Sequence, residues 1–99
     1  MYLVKETKLF SKWLFKLKDI QGKVSILRRI DRVKQGNFGD HKNLGGSVLE
    51  LRISVGAGYR VYYTECNNEI ILLLIGGDKS TQKNDIIKAK AMAKEYNDE

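Results

Sequence analysis

The sequence predicts an α+β fold with the element order β-α-α-β-β-β-α, a mostly antiparallel sheet with helices packed on it. Three observations carry the prediction. Apolar residues recur at helical spacing through the first third of the chain, the period changes to two from Val48, and helical spacing returns after Ser80. The chain contains no Pro, no Ser- or Gly-rich linker and no repeat of 20 to 50 residues, so residues 1–99 are expected to form one domain.

Tyr2 to Lys5 is a short apolar stretch suited to an edge strand. Phe10, Trp13, Leu14 and Leu17 recur at i, i+3, i+4, i+7, which places one apolar stripe on a helix from about Lys8 to Asp19. Gln21-Gly22 reads as a break. Ile26, Leu27, Ile30 and Val33 then repeat the helical spacing, with Arg28, Arg29 and Arg32 gathered on another side and Gly36 as the stop. Asn37 to Gly46 is polar and glycine-rich, and is expected to be loop. From Val48, Leu49, Leu51, Ile53 and Val55 alternate with Glu50, Arg52 and Ser54; after the Gly56-Ala57-Gly58 turn, Tyr59, Val61 and Tyr63 alternate with Arg60, Tyr62 and Thr64. That pattern is a β-hairpin with one core face and one polar face. Asn67-Asn68 is the next turn, and Glu69 to Ile75 suits a central strand covered on both faces and ended by Gly76-Gly77. A last helix, capped by Ser80 or Thr81, puts Ile86, Ala89, Ala93 and Tyr96 on one face.

The 18 Lys and Arg outnumber the 12 Asp and Glu, for a net charge of +6. Residues 1–46 hold eleven basic and four acidic side chains, so the excess sits in the first half and would draw a polyanion or an acidic protein partner. One cysteine, Cys66, and one histidine, His41, are too few for a disulfide scaffold or the usual zinc spacings. No apolar run approaches a membrane span and the N-terminus carries no secretion pattern, so a cytoplasmic chain without membrane contact is expected.

The hairpin holds the sharpest chemical clue. A turn centred near Gly56 places Arg52 opposite Arg60 on the polar face, a like-charge pair that needs a compensating group. A bound phosphate would serve, because guanidinium groups grip its oxygens; Glu50 on the same face is the structural alternative. The segment Gly76-Gly77-Asp78-Lys79-Ser80-Thr81-Gln82 brings backbone N–H groups and a lysine towards one point, although GxxxxGK[ST] is absent. Tyr62 shares the polar face of Arg60 and is positioned to stack a base, and His41 in its loop is a candidate for acid–base chemistry. The Arg28, Arg29 and Arg32 cluster is either a solvated helix face or a docking surface.

Across nearly its whole length, in FSKWLFKL, IDRVKQGNFGDHKNLGGSVLELRI, GYRVYY and LLLIGGDKSTQKNDI, the chain resembles RelE/ParE-superfamily toxins of toxin–antitoxin pairs, in particular the HigB-like addiction module killer group. The resemblance implies a RelE-like, microbial-RNase-like fold. It implies a metal-independent, cofactor-free endoribonuclease acting on mRNA at the ribosome; the alternative within the superfamily is a ParE-type inhibitor that binds DNA gyrase. By motif, Arg60, Arg52 and Lys79 are the implied catalytic cations, and Tyr62, Gln82 and His41 the candidates for substrate contact. Arg28, Arg29 and Arg32 would then meet the cognate antitoxin, expected to be a helix-turn-helix protein. Better-known ribonuclease members carry a Tyr or His near the start of the last helix; Lys79 to Ile87 has neither, which leaves Tyr62, Asp78 and His41 as candidate proton carriers.

Overall fold

A computed structural model of the chain describes residues 1–97. Strands β1 (Leu3–Glu6), β2 (His41–Gly45), β3 (Val48–Ile53), β4 (Tyr59–Cys66) and β5 (Ile70–Asp78) form one sheet in the order β1-β5-β4-β3-β2. Only the β1–β5 pair is parallel. Helices α1 (Lys8–Lys16) and α2 (Ile20–Lys34) cover one face; α3 (Gln82–Asn97), entered through a 3-10 turn at Lys79–Thr81, covers part of the other. The fold is α+β, as expected. Among the described residues no helix is long and apolar enough to cross a membrane.

Each face has its own core. Phe10, Ile26, Ile30 and Val33 from the two helices bury Leu51, Ile53, Tyr59, Val61, Tyr63, Ile71 and Leu73. On the other face Ala89 and Ala93 of α3 pack against Val48, Tyr62, Leu74 and Ile75. Small residues on α3 let it approach the sheet closely enough to seal these large side chains. The α1 helix is tied to the sheet at its start: the Thr7 hydroxyl accepts from the Phe10 amide and donates to the Leu74 carbonyl at 2.6 Å.

Several boundaries differ from the sequence reading. Helix α1 stops at Lys16 because Asp19 leaves the helix to cap α2, accepting from the Gly22 amide at 3.1 Å. The break therefore lies at Leu17–Asp19, and Gln21-Gly22 sits inside the first turn of α2. Gly22 is there for contact: a Cβ would run into the Tyr59 ring and the Asp19 carboxylate. The stop at Gly36 holds, with φ +89° and bonds from Gly36 N to Val33 O and from Asn37 N to Arg32 O that close the helix end.

The segment read as loop, Asn37 to Gly46, contains edge strand β2, whose polar sequence suits a strand open to water on one edge. Nor do Gly76-Gly77 end β5. The strand runs on to Asp78, and its glycines make room for the Trp13 ring on one face and the Asp85 carboxylate on the other. A bulge in β5, where Leu74 is the extra residue opposite the Tyr62–Tyr63 step of β4, sends Leu74 and Ile75 to the α3 face together and sets Gly77 opposite Arg60. The cap of the final helical segment is Asp78 rather than Ser80 or Thr81: its carboxylate accepts from the Ser80 amide at 2.8 Å. Tyr96, expected on the buried face of α3, stands about half exposed at its end.

Candidate functional site: a cationic cleft at the hairpin turn

The β3–β4 register pairs Arg52 with Arg60, as the turn position predicted. Their surroundings differ from an open polar face. The carboxylate of Glu50, which has no solvent exposure, accepts from Arg52 Nε at 2.9 Å and from Gln82 Nε2 at 2.9 Å. Burial on its own would raise the Glu50 pKa, but these two bonds and the charges of Arg52 and Arg60 outweigh it and hold the group below the ordinary glutamate range. Glu50 thus supplies the compensation that the arginine pair requires, and ties the first turn of α3 to β3.

Arg60 is only 8% exposed. The sequence reading put this side chain on the open polar face of the hairpin; it is nearly buried instead. Its Nη1 donates to the carbonyls of Gly58 and Tyr59 at 3.2 Å each, while buried Nε has no hydrogen-bond partner among the described residues. A buried guanidinium N–H left unpaired is costly unless a ligand completes it. Beside it lies a cleft of about 300 Å³ lined by Ser54, Gly56, Ala57, Gly58, Arg60 and Lys79.

The turn shapes that cleft. Gly56 and Gly58 both have positive φ, +55° and +77°. A Cβ on Gly58 would lie 3.3 Å from Lys79 Cδ and 3.8 Å from Arg60 Nη1, so the turn passes close between the two cationic side chains. Strand β5 delivers Lys79: Asp78 pairs with Tyr59 and Lys79 follows it. The structure therefore brings Arg60 and Lys79 to one opening, with Arg52 adjacent in register but engaged by Glu50. A larger hollow of about 390 Å³ between Leu9, Met92, Glu95 and Tyr96 contains no cation.

Other expected site residues lie elsewhere. Tyr62 has no exposure; α3 covers it, so it offers no stacking surface to a base. Its hydroxyl has no hydrogen-bond partner among the described residues, and burial, together with the Glu50 and Asp85 charges, pushes its pKa far up. Gln82 spends its amide on Glu50. His41 is exposed on β2 opposite Leu51, on the α2 face of the sheet, with its ring against Phe38; the cleft opens from the Arg60 side. Two of the backbone amides expected to form an anion cradle after β5 are engaged within the turn itself: Asp78 N–H bonds the Thr81 hydroxyl and Ser80 N–H bonds the Asp78 carboxylate. On α2, Arg28 and Arg32 are exposed, whereas Arg29 donates to the carbonyl of Asp40 at 3.1 Å and holds the chain before β2. Glu50 is the site residue that sequence reasoning weighed only as a neutraliser. Its signal was the Glu50/Arg52 spacing on one strand face.

Residues 12–95 match the family described as phage-derived Gp49-like protein (DUF891). An uncharacterised protein of Haemophilus influenzae is 49% identical over 92 residues, 93% of each chain. Among solved structures, a chain of the intact E. coli RelBE toxin–antitoxin complex superposes with a TM-score of 0.60 at 14% identity, over 79% of this chain and 96% of that one. At that identity the likeness speaks for the fold.

Proposed function

The chain belongs to the phage-derived Gp49-like family, a RelE-superfamily toxin family, and from that premise we propose that it is an endoribonuclease toxin held in check by a protein antitoxin. The observation that carries the enzymatic reading is Arg60, nearly buried with an unpartnered Nε, sharing a glycine-walled cleft with Lys79. A phosphodiester satisfies both cations at once.

In the reaction the ribose 2′-oxygen forms a bond to the adjacent phosphorus and the bond to the 5′-oxygen breaks, leaving a 2′,3′-cyclic phosphate and a 5′-hydroxyl. The 2′-proton must leave and the 5′-oxygen must gain one. Negative charge builds on the non-bridging oxygens in between, and this chain's contribution is to meet it there with Arg60 and Lys79. Glu50 fixes Arg52 beside them. The residues lining the cleft include no carboxylate or imidazole. Proton transfer then falls to water or to groups of the bound target, which suits an enzyme that acts on mRNA in the ribosome.

Brief induction in a bacterial host followed by mapping of RNA 5′ ends tests the proposal. New 5′-hydroxyl ends within coding regions are expected with the wild-type chain and not with a folded Arg60→Ala variant, for which a loss of about 10²- to 10³-fold in cleavage is anticipated. Growth arrest without new RNA ends, accompanied by DNA breaks or altered supercoiling, would replace cleavage with gyrase inhibition.

A further inference from the structure

We propose that Thr81 and Asp85 are positioning residues for the cation cleft: together they lock the turn that follows β5 and hold Lys79 on the Arg60 side of it. Their role rests on the reading of that cleft as the phosphate site of a ribonuclease; the geometry that assigns it lies in the turn itself.

Lys79 leaves β5 between two carboxylates, Asp78 beside it and Asp85 in the first turn of α3. Either could pair with it and compete with a bound phosphate. Neither does: the ion pairs among the described residues are Lys34–Asp31 and Arg52–Glu50. The turn engages both carboxylates instead. Asp78 Oδ1 accepts from the Ser80 amide at 2.8 Å and from the Ser80 hydroxyl, while Asp85 Oδ2 accepts from the Thr81 hydroxyl at 2.5 Å. The Thr81 oxygen in turn accepts from the Asp78 amide at 3.3 Å. A hydroxyl that donates to a carboxylate while accepting from a backbone N–H links the start of α3 to the residue before Lys79.

Gly77 makes room for this clasp. Its φ lies outside the left-handed region, so its backbone conformation does not require glycine. A Cβ there would collide with Asp85 Oδ2 and stand 2.8 Å from Thr81 Oγ1, so the missing side chain is the space the clasp occupies. Gly77 also pairs with Arg60 across the β4–β5 ladder. Asp85 therefore rests on the strand position opposite one cation and, through Thr81, fixes the turn that carries the other. A helix start needs less than this. Asp78 already caps the turn, and Gln82 already ties the first turn of α3 to Glu50 of β3. The Thr81–Asp85 bond is left to set where Lys79 goes. Asp85 brings negative charge towards a site for an anion, which opposes binding unless the placement it gives matters more.

Inorganic phosphate, titrated into the full chain and followed by NMR shifts against chloride at equal ionic strength, tests the clasp without requiring that RNA be cut. Asp85→Ala removes an acid near two cations, so charge alone would tighten phosphate binding; loss of the clasp should instead weaken it, on the order of tenfold. Asp85→Asn keeps an oxygen that can accept from Thr81 and should stay within about twofold of the wild type. Thr81→Val, with charge and shape unchanged, should match Asp85→Ala, and Thr81→Ser should restore the affinity. Each loss should vanish when Lys79→Ala is already present, because a residue acting through Lys79 then has nothing left to position. Unchanged or tighter binding in folded Asp85→Ala and Thr81→Val overturns the proposal. An equal loss in the Lys79→Ala background overturns it too, since the pair would then be a general support of the fold. A wild-type chain with no phosphate binding beyond chloride removes the anion site and the role of the clasp with it. Phosphate binding that follows the expected pattern, in a chain that makes no new RNA ends, would overturn the ribonuclease reading alone and support the clasp.

Discussion

A carboxylate with no solvent exposure, flanked by two arginines and an amide, makes Glu50 the residue on which site geometry and stability meet. Glu50→Gln keeps the shape and removes the charge, leaving Arg52 and Arg60 facing each other unanswered. A loss of roughly 1–2 kcal/mol is expected in urea unfolding, less than for a fully buried pair because the Arg52 side chain remains 34% exposed. The pH dependence has a definite sign. The folded-state pKa of Glu50 lies below its ordinary value of 4.5, so the unfolded chain binds the proton more readily. The resulting stability is complete above that value and is lost as pH falls through the folded one. Asp19, held low by the Gly22 amide and the Tyr59 hydroxyl, acts in the same direction and is present in both proteins. Urea midpoints of wild type and variant should therefore converge as the solution is acidified; parallel curves would show that Glu50 carries no differential charge. The opposition of Arg52 and Arg60 was legible in the sequence, since a turn position sets the register of a hairpin. The burial of Tyr62 was not, because a period of two separates the faces of a strand without saying what covers them.

At the scale of elements, glycines misled most and taught most. Gly22 and Gly76 read as a break and a stop, yet each lies inside an element where a neighbouring aromatic ring, Tyr59 or Trp13, occupies the space of a Cβ. Gly22→Ala separates the two readings. Helix propensity alone favours alanine by about 1 kcal/mol; the collision with Tyr59 and Asp19 opposes it. A net destabilisation of about 1–3 kcal/mol is expected by chemical denaturation, and a gain in stability would show that the α2 start is free to move off the hairpin. The hairpin bond from the Tyr59 hydroxyl to Asp19 Oδ2, 2.8 Å long, should be lost in that variant. Strand β2 escaped the sequence reading for a related reason. Its residues are mostly exposed, and it exists because β3 offers an unpaired edge.

For the molecule as a whole, the cation cleft makes a thermodynamic prediction that needs no knowledge of the substrate. A ligand that binds only the folded chain stabilises it in proportion to the logarithm of its concentration over Kd. Inorganic phosphate should raise the melting temperature of the wild-type chain beyond chloride at equal ionic strength, by about 4–8 °C for each kcal/mol of binding. An Arg60→Ala/Lys79→Ala variant should retain the general salt effect and lose the excess. Equal shifts in both proteins would mean that the cleft does not take up phosphate. Two separately packed faces suit such a site, since the α1–α2 core and the α3 core hold the sheet beneath it from both sides.

The sequence by itself determined the α+β class, the two helices of the first third, the Arg52–Arg60 pairing and the stop at Gly36, because each follows from periodicity or from local backbone chemistry. Only the tertiary structure decided that α3 covers the far face of the sheet, that Glu50 and Gln82 lock together, and that Arg60 is buried with Lys79 beside it. The last two facts depend on contacts between residues 32 and 19 positions apart in the chain, and no local pattern encodes which buried groups will meet across such distances.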